Sequence, residues 1–117
     1  MGDLSKNFSR KEFACHCGCG FDDISLELIA VLQQLRDYYG KPVKINSACR
    51  CEKHNAKVGG AKHSKHKEGI AADVVVSGVL PKDVHKYLIE KYEGRYGIGR
   101  YNTFTHIDVR DGCARWG

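Results

Sequence analysis

Apolar residues recur every three to four positions through SLELIAVLQQLRDYYG, where Leu28, Val31, Leu32, Leu35 and Tyr39 fall on one face of a helix that Gly40 and Pro42 bring to an end. This spacing predicts the strongest helix of the chain. PKDVHKYLIEKY predicts a second, with Pro81 near its start, where the missing N–H has no helical partner to lose. Elsewhere the period drops to two. VKINS alternates like a half-buried strand, GIAADVVV reads as another, and RYGIGRY with FTHIDVR reads as a hairpin turning at Asn102. SRKE, Ser9 to Glu12, matches a capping box and predicts a short first helix, after which CHCGCG must be loop. Cys49 to Ala61 reads as a turn with a helical turn near His54. The mixture predicts an α+β fold in which a small antiparallel sheet packs against two or three helices.

One position breaks the pattern of the second strand. Asp73 sits among Ile70, Ala71, Ala72, Val74, Val75 and Val76, where a buried carboxylate without a partner would cost several kcal/mol. His66 is seven residues upstream. Across that separation a helix would span roughly 10 Å and a strand over 20 Å, whereas zinc–ligand bonds are about 2 Å. A metal shared by the two therefore requires a bend, which Gly69 permits. His106 in TFTHIDVR supplies a third ligand if the hairpin lies beside GIAADVVV, and alternation puts Asp108 on its face. Two histidines and a carboxylate leave a fourth tetrahedral position open for water, the arrangement of a hydrolytic zinc. The competing reading leaves His66 solvated, Asp73 at a strand edge and His106 a hydrogen-bonded core residue.

Composition narrows the class. With 117 residues, 42% of them apolar and 28% charged, the chain suits one soluble globular domain over residues 1–117. No apolar run approaches a membrane span, and MGDLSKNFSR lacks the apolar region of a signal peptide, so no membrane insertion and synthesis in the cytoplasm without such a signal are expected. A net charge of +5 suits an anionic surface, yet no basic block alternates with aromatics, and specific nucleic-acid binding is not expected. Six cysteines, Cys15, Cys17, Cys19, Cys49, Cys51 and Cys113, leave three readings open: reduced thiols, disulfides formed after release from the cell, or a second metal at the cluster.

SKHKEGIAAD resembles the S-x-H-x-x-G-x-A-x-D signature of the zinc D-alanyl-D-alanine carboxypeptidases and their relatives, among them phage L-alanyl-D-glutamate endolysins and the hedgehog signalling domain. FSRKEFACHCGCG, INSACRCEKHNAKVGGAKHSKH and GIGRYNTFTHIDVR resemble further blocks of the phage and bacterial branch, in the same order. The resemblance implies a hedgehog/DD-peptidase-like domain that binds one catalytic Zn2+ through His66, Asp73 and His106 and hydrolyses amide bonds in peptidoglycan stem peptides, as a carboxypeptidase or an endopeptidase. It also implies a substrate-binding and oxyanion-stabilising Arg50, with Ser64 either hydrogen-bonding the peptide or capping its loop. A monomer acting at the bacterial cell wall, after phage lysis or from a virion, is the matching expectation.

Relatives usually carry a general base as Glu three residues before the last zinc histidine or as His two before it. Here those positions hold Thr103 and Phe104. Asp108 is the candidate base, the other reading being that it orients a ligand histidine or pairs with Arg110. Glu68 is a weaker alternative. His54, His63 and His85 read as solvated, His16 belongs to the accessory-metal question, and Tyr96, Tyr101 and Trp116 read as packing or as walls of a groove. The rival functions are a zinc module of the same fold without catalysis and, below it, a structural or nucleic-acid-binding protein built on a cysteine-held metal.

Overall fold

The computed structural model describes residues 4–60 and 64–116. His63 lies outside them. Three α-helices, α1 (Leu26–Tyr39), α2 (Glu52–Lys57) and α3 (Pro81–Lys91), accompany five strands: β1 (Val43–Ser47), β2 (Ala71–Val76), β3 (Tyr96–Arg100), β4 (Thr105–Asp108) and β5 (Cys113–Trp116). Short 3₁₀ turns cover Arg10–Phe13 and Lys65–Glu68. The fold is α+β, a mixed five-stranded sheet packed with three helices.

Local chemistry explains the element ends. Ser9 N–H donates to the Glu12 carboxylate at 2.6 Å, so the predicted first helix is one 3₁₀ turn. The Ser25 hydroxyl accepts from Leu28 N–H at the start of α1, and Gly40 closes that helix in the left-handed conformation at φ 62°. Leu28, Val31, Leu32 and Leu35 of α1 are buried as the periodicity predicts, joined by Ile29.

The strand order is β1-β2-β4-β3-β5. Antiparallel pairing holds for β1/β2, β2/β4 and β3/β4, but β5 runs parallel to β3, which corrects the expectation of a wholly antiparallel sheet. CARW is short and exposed or half-exposed, so it carries no burial pattern that marks it as a strand; the neighbouring β3 backbone gives it its ladder.

Alternation assigns the two faces of the sheet. Ala72, Val74 and Val76 of β2, Ile98 of β3 and Ile107 of β4 join Leu28, Leu32 and Leu35 of α1 and Val84 and Leu88 of α3 in one apolar cluster. Asp73 points to the opposite face, and its place within an apolar run follows from the period of two. No helix among the described residues is long and apolar enough to cross a membrane.

Candidate metal centre

The register of the sheet assembles the site. Ser47 on β1, Asp73 on β2, His106 on β4, Gly99 on β3 and Trp116 on β5 are successive pairing partners, one row across all five strands. A bulge between Ile45 and Ser47 brings Ser47 into this row. His66 comes from the 3₁₀ turn before β2, whose first N–H groups are capped by the Ser64 hydroxyl, accepting from His66 N–H at 3.2 Å. Gly69 ends that turn at φ 72°. A Cβ there would collide with the Asp23 carbonyl oxygen, so glycine is required twice over, for backbone angle and for space.

His66, Asp73 and His106 are all buried, with ligand atoms within 4.8 Å of one another. Asp73 Oδ1 lies 3.2 Å from His66 Nε2 and 3.0 Å from His106 Nδ1. The outward contact of His66 fixes its tautomer. A carbonyl only accepts, so His66 Nδ1–H donates to Ala48 O at 2.7 Å, leaving the Nε2 lone pair facing Asp73. His106 has a carboxylate oxygen against each ring nitrogen, Asp108 Oδ2 at 2.7 Å from Nε2 and Asp73 Oδ1 at 3.0 Å from Nδ1; with the proton on Nε2, the Nδ1 lone pair lies on the same point. Two imidazole lone pairs and a carboxylate oxygen converging at 3 Å call for a cation or a proton between them, and a two-nitrogen, one-oxygen set with this spacing fits zinc.

Electrostatics agree with that geometry. Burial works against the charge of Asp73, yet the His106 and His66 imidazoles set against it outweigh that effect and hold the carboxyl well below its usual range. Burial likewise opposes protonation of His106, and the hydrogen bond to Asp108 followed by that to Asp73 raises its pKa overall.

A cavity of about 510 Å³ opens over the three residues. Arg50, Ser64, Lys65 and Arg110 line it with Val58, Tyr101, Phe104 and Trp116. Arg50 reaches Asp73 Oδ2 at 3.4 Å, while its Nε donates to the Ser47 hydroxyl at 3.1 Å and its Nη1 to Asn55 Oδ1 at 3.3 Å. Tyr101 and Phe104 stack at 4.4 Å, and the Trp116 indole N–H donates to the Tyr101 hydroxyl at 2.9 Å. Phe104 and Arg110 were not singled out as cavity walls from the sequence. Their signal is the hairpin itself, which brings positions flanking His106 over the same face.

Asp108 is fully buried on the far side of His106. Arg110 grips both its oxygens at 2.7 Å, and Arg110 N–H adds a bond of 3.2 Å to Oδ1. Burial would raise the Asp108 pKa, but the Arg110 and His106 hydrogen bonds drive it well below the carboxylate norm. Glu68 is exposed and pairs with Lys65 at 3.2 Å, away from the cavity wall. Tyr96 is buried, its hydroxyl donating to Glu27 at 2.8 Å. His85 departs from the solvated reading: its Nε2 is buried without a partner among the described residues, and burial and nearby Arg100 and Arg115 lower its pKa.

The model of the family described as Peptidase M15 matches residues 6–108, a span that holds all three converging residues. The chain belongs to the peptidase M15 family. Membership implies a metallopeptidase, and M15 peptidases use zinc, the metal that the donor set fits. No curated protein matches the chain.

The cysteines divide into groups that the sequence does not separate. Cys15, Cys17, Cys19 and Cys51 gather with sulfur atoms within 4.8 Å of one another. Cys49 turns into the core, where burial pushes its thiol up to about 11, and Cys113 is exposed on β5. Within the cluster burial resists ionisation of Cys15, but bonds from the Cys51 and Cys17 backbone bring it down to about 7. The Cys17 thiol, facing Cys19 and Cys15, is pushed up to about 12.

Proposed function

We propose that the protein is a zinc metallopeptidase that hydrolyses amide bonds in peptidoglycan stem peptides. The observation that carries this reading is the convergence of His66 Nε2, Asp73 Oδ1 and His106 Nδ1 at the floor of a cavity whose wall includes Arg50. His66, Asp73 and His106 would hold a zinc ion through these atoms, and its Lewis acidity would serve to activate water and polarise a peptide carbonyl.

The chain's own groups do the rest. Arg50 presents a guanidinium braced by Ser47, Asn55 and Asp73, suited to a substrate carboxylate or to the charge that develops on a carbonyl oxygen. Lys65 adds positive charge to the cavity lining, which favours the carboxylate-bearing peptides of the cell wall, whereas the charge of Arg110 is matched by Asp108. Tyr101, Phe104 and Trp116 form an apolar part of the cavity lining, able to pack against a peptide and exclude water from it. Ser64 acts as the cap that holds His66 in place. Asp108 acts as the orienter of His106: all its acceptor sites face His106 and Arg110, which argues against its service as the base.

Mass spectrometry of purified stem-peptide fragments incubated with the zinc-loaded protein tests the reading, with His66→Ala beside it. A cleavage product that the variant fails to make is the expected result, and its mass identifies the bond. One observation favours a second reading. Among the described residues of the cavity wall, no carboxylate or imidazole stands outside the three candidate ligands. Stoichiometric zinc binding with no product from any stem peptide would select a zinc module of the M15 fold that does not catalyse.

A further inference from the structure

We propose that Cys15, Cys17, Cys19 and Cys51 form a closed tetrathiolate site for one structural zinc ion, distinct from the histidine and aspartate centre. The sulfur separations carry the proposal. Cys15 and Cys17 stand 3.4 Å apart, Cys17 and Cys51 3.5 Å, and Cys15 and Cys51 3.8 Å, with Cys19 inside the same 4.8 Å group. Zinc–sulfur bonds of about 2.3 Å in a tetrahedron give sulfur–sulfur edges of roughly 3.8 Å. A disulfide needs about 2.05 Å and pairs only two sulfurs, which gives no reason for four to converge on one point. All of the cysteines are free thiols in this structure.

The backbone is shaped for the same purpose. In an extended C-x-C-x-C segment neighbouring cysteines would be separated by more than 6 Å along the strand. Gly18 at φ 81° and Gly20 at φ 91° take left-handed angles that coil CHCGCG, and its three thiols converge on one another. Backbone donors then address the sulfurs, Cys51 N–H to Cys15 Sγ and His54 N–H to Cys51 Sγ, each at 3.4 Å. Such N–H groups spread the negative charge that four thiolates place around a divalent ion. With four protein ligands the site has no open position, so its role is structural.

Its position gives that role a target. Cys51 follows Arg50, whose own N–H donates to the His66 carbonyl at 3.0 Å. The zinc ion would clamp the Cys15–Cys19 loop onto the segment that presents Arg50 to the cavity. The assignment stands on the cysteines alone, whether or not the other centre catalyses.

Elemental analysis and native mass spectrometry of the full chain, purified under reducing conditions with zinc, provide the test. The wild type is expected to hold two zinc ions and His66→Ala one. In His66→Ala four thiols should be shielded from a thiol reagent until a strong chelator releases the metal. Cobalt replacing zinc in His66→Ala should show the intense thiolate-to-metal charge-transfer absorption of a tetrahedral sulfur site, a signal that needs no cysteine variant to fold. Cys17→Ser with Cys19→Ser should remove that absorption. His66→Ala without bound metal and with Cys15, Cys17, Cys19 and Cys51 reacting in the absence of a chelator would overturn the proposal. So would a mass deficit showing disulfides in the cluster, or iron in place of zinc.

Discussion

Asp108 sets a buried carboxylate, with no solvent exposure, between His106 and Arg110. A charge so placed would cost several kcal/mol alone, and the two-pronged Arg110 contact with the His106 bond offsets that cost. Asp108→Asn keeps an acceptor for the His106 N–H while removing the charge. It should weaken zinc binding about 10–100-fold, measured by chelator competition, and activity should recover at saturating zinc. A fall in kcat that persists at saturating zinc would instead make Asp108 the proton acceptor. The sequence pointed to Asp108 through strand alternation, which fixes the face of a side chain. Alternation leaves open which of its neighbours uses the carboxylate, because Arg110 curls back over the strand to claim both oxygens.

Across the elements, two glycines of β3 make room for the site. A Cβ on Gly97 would stand 2.5 Å from the Asp108 carboxylate and the Arg110 guanidinium, and one on Gly99 would collide with the Trp116 indole. In RYGIGRY the glycines look like weak points of a strand, since they pack no side chain. They serve as the floor on which β4 and β5 lay their functional groups. Gly99→Ala should push the indole outward. The change should appear as a shift in the emission of the chain's single tryptophan and a lower kcat/KM, with zinc at the His66 centre retained. Unchanged emission would show that the wall is not built on Gly99. The hairpin was legible because its alternation and turn are contiguous; β5 was not, because a parallel edge strand of four residues takes its conformation from its neighbour.

On the scale of the whole molecule, α1 and α3 cover one face of the sheet and leave the other to the site, where α2 braces Arg50, so stability and chemistry rest on opposite sides of the same strands. Packing of α3 and β3 against α1 buries several phenols. Burial pushes Tyr92 up to about 12, with its hydroxyl donating to Gln34 at 3.0 Å, and it raises Tyr39, Tyr87 and Tyr96 as well. The fold thus favours the neutral phenol. That stabilisation is complete below the usual phenol pKa of about 10 and is lost as pH climbs through about 12. Denaturant melts across this window should show falling stability, and Tyr92→Phe should reduce the slope; an identical slope in the variant would remove Tyr92 from the account.

The sequence by itself determined α1 and α3, four of the five strands and, in SKHKEGIAAD, the association of His66 with Asp73, since each of these is written in local periodicity or in a contiguous motif; α2 read only as a helical turn within a loop, and His106 joined the pair only if the hairpin lay beside β2. Tertiary structure decided who meets whom. The Ala48 carbonyl orients His66, Asp108 stands behind His106, and Cys51 rather than Cys49 joins the N-terminal thiols. Each outcome depends on strand register, on the bulge in β1 or on a loop closing over the sheet, and such pairings are fixed by the packing of distant segments, which no local pattern encodes.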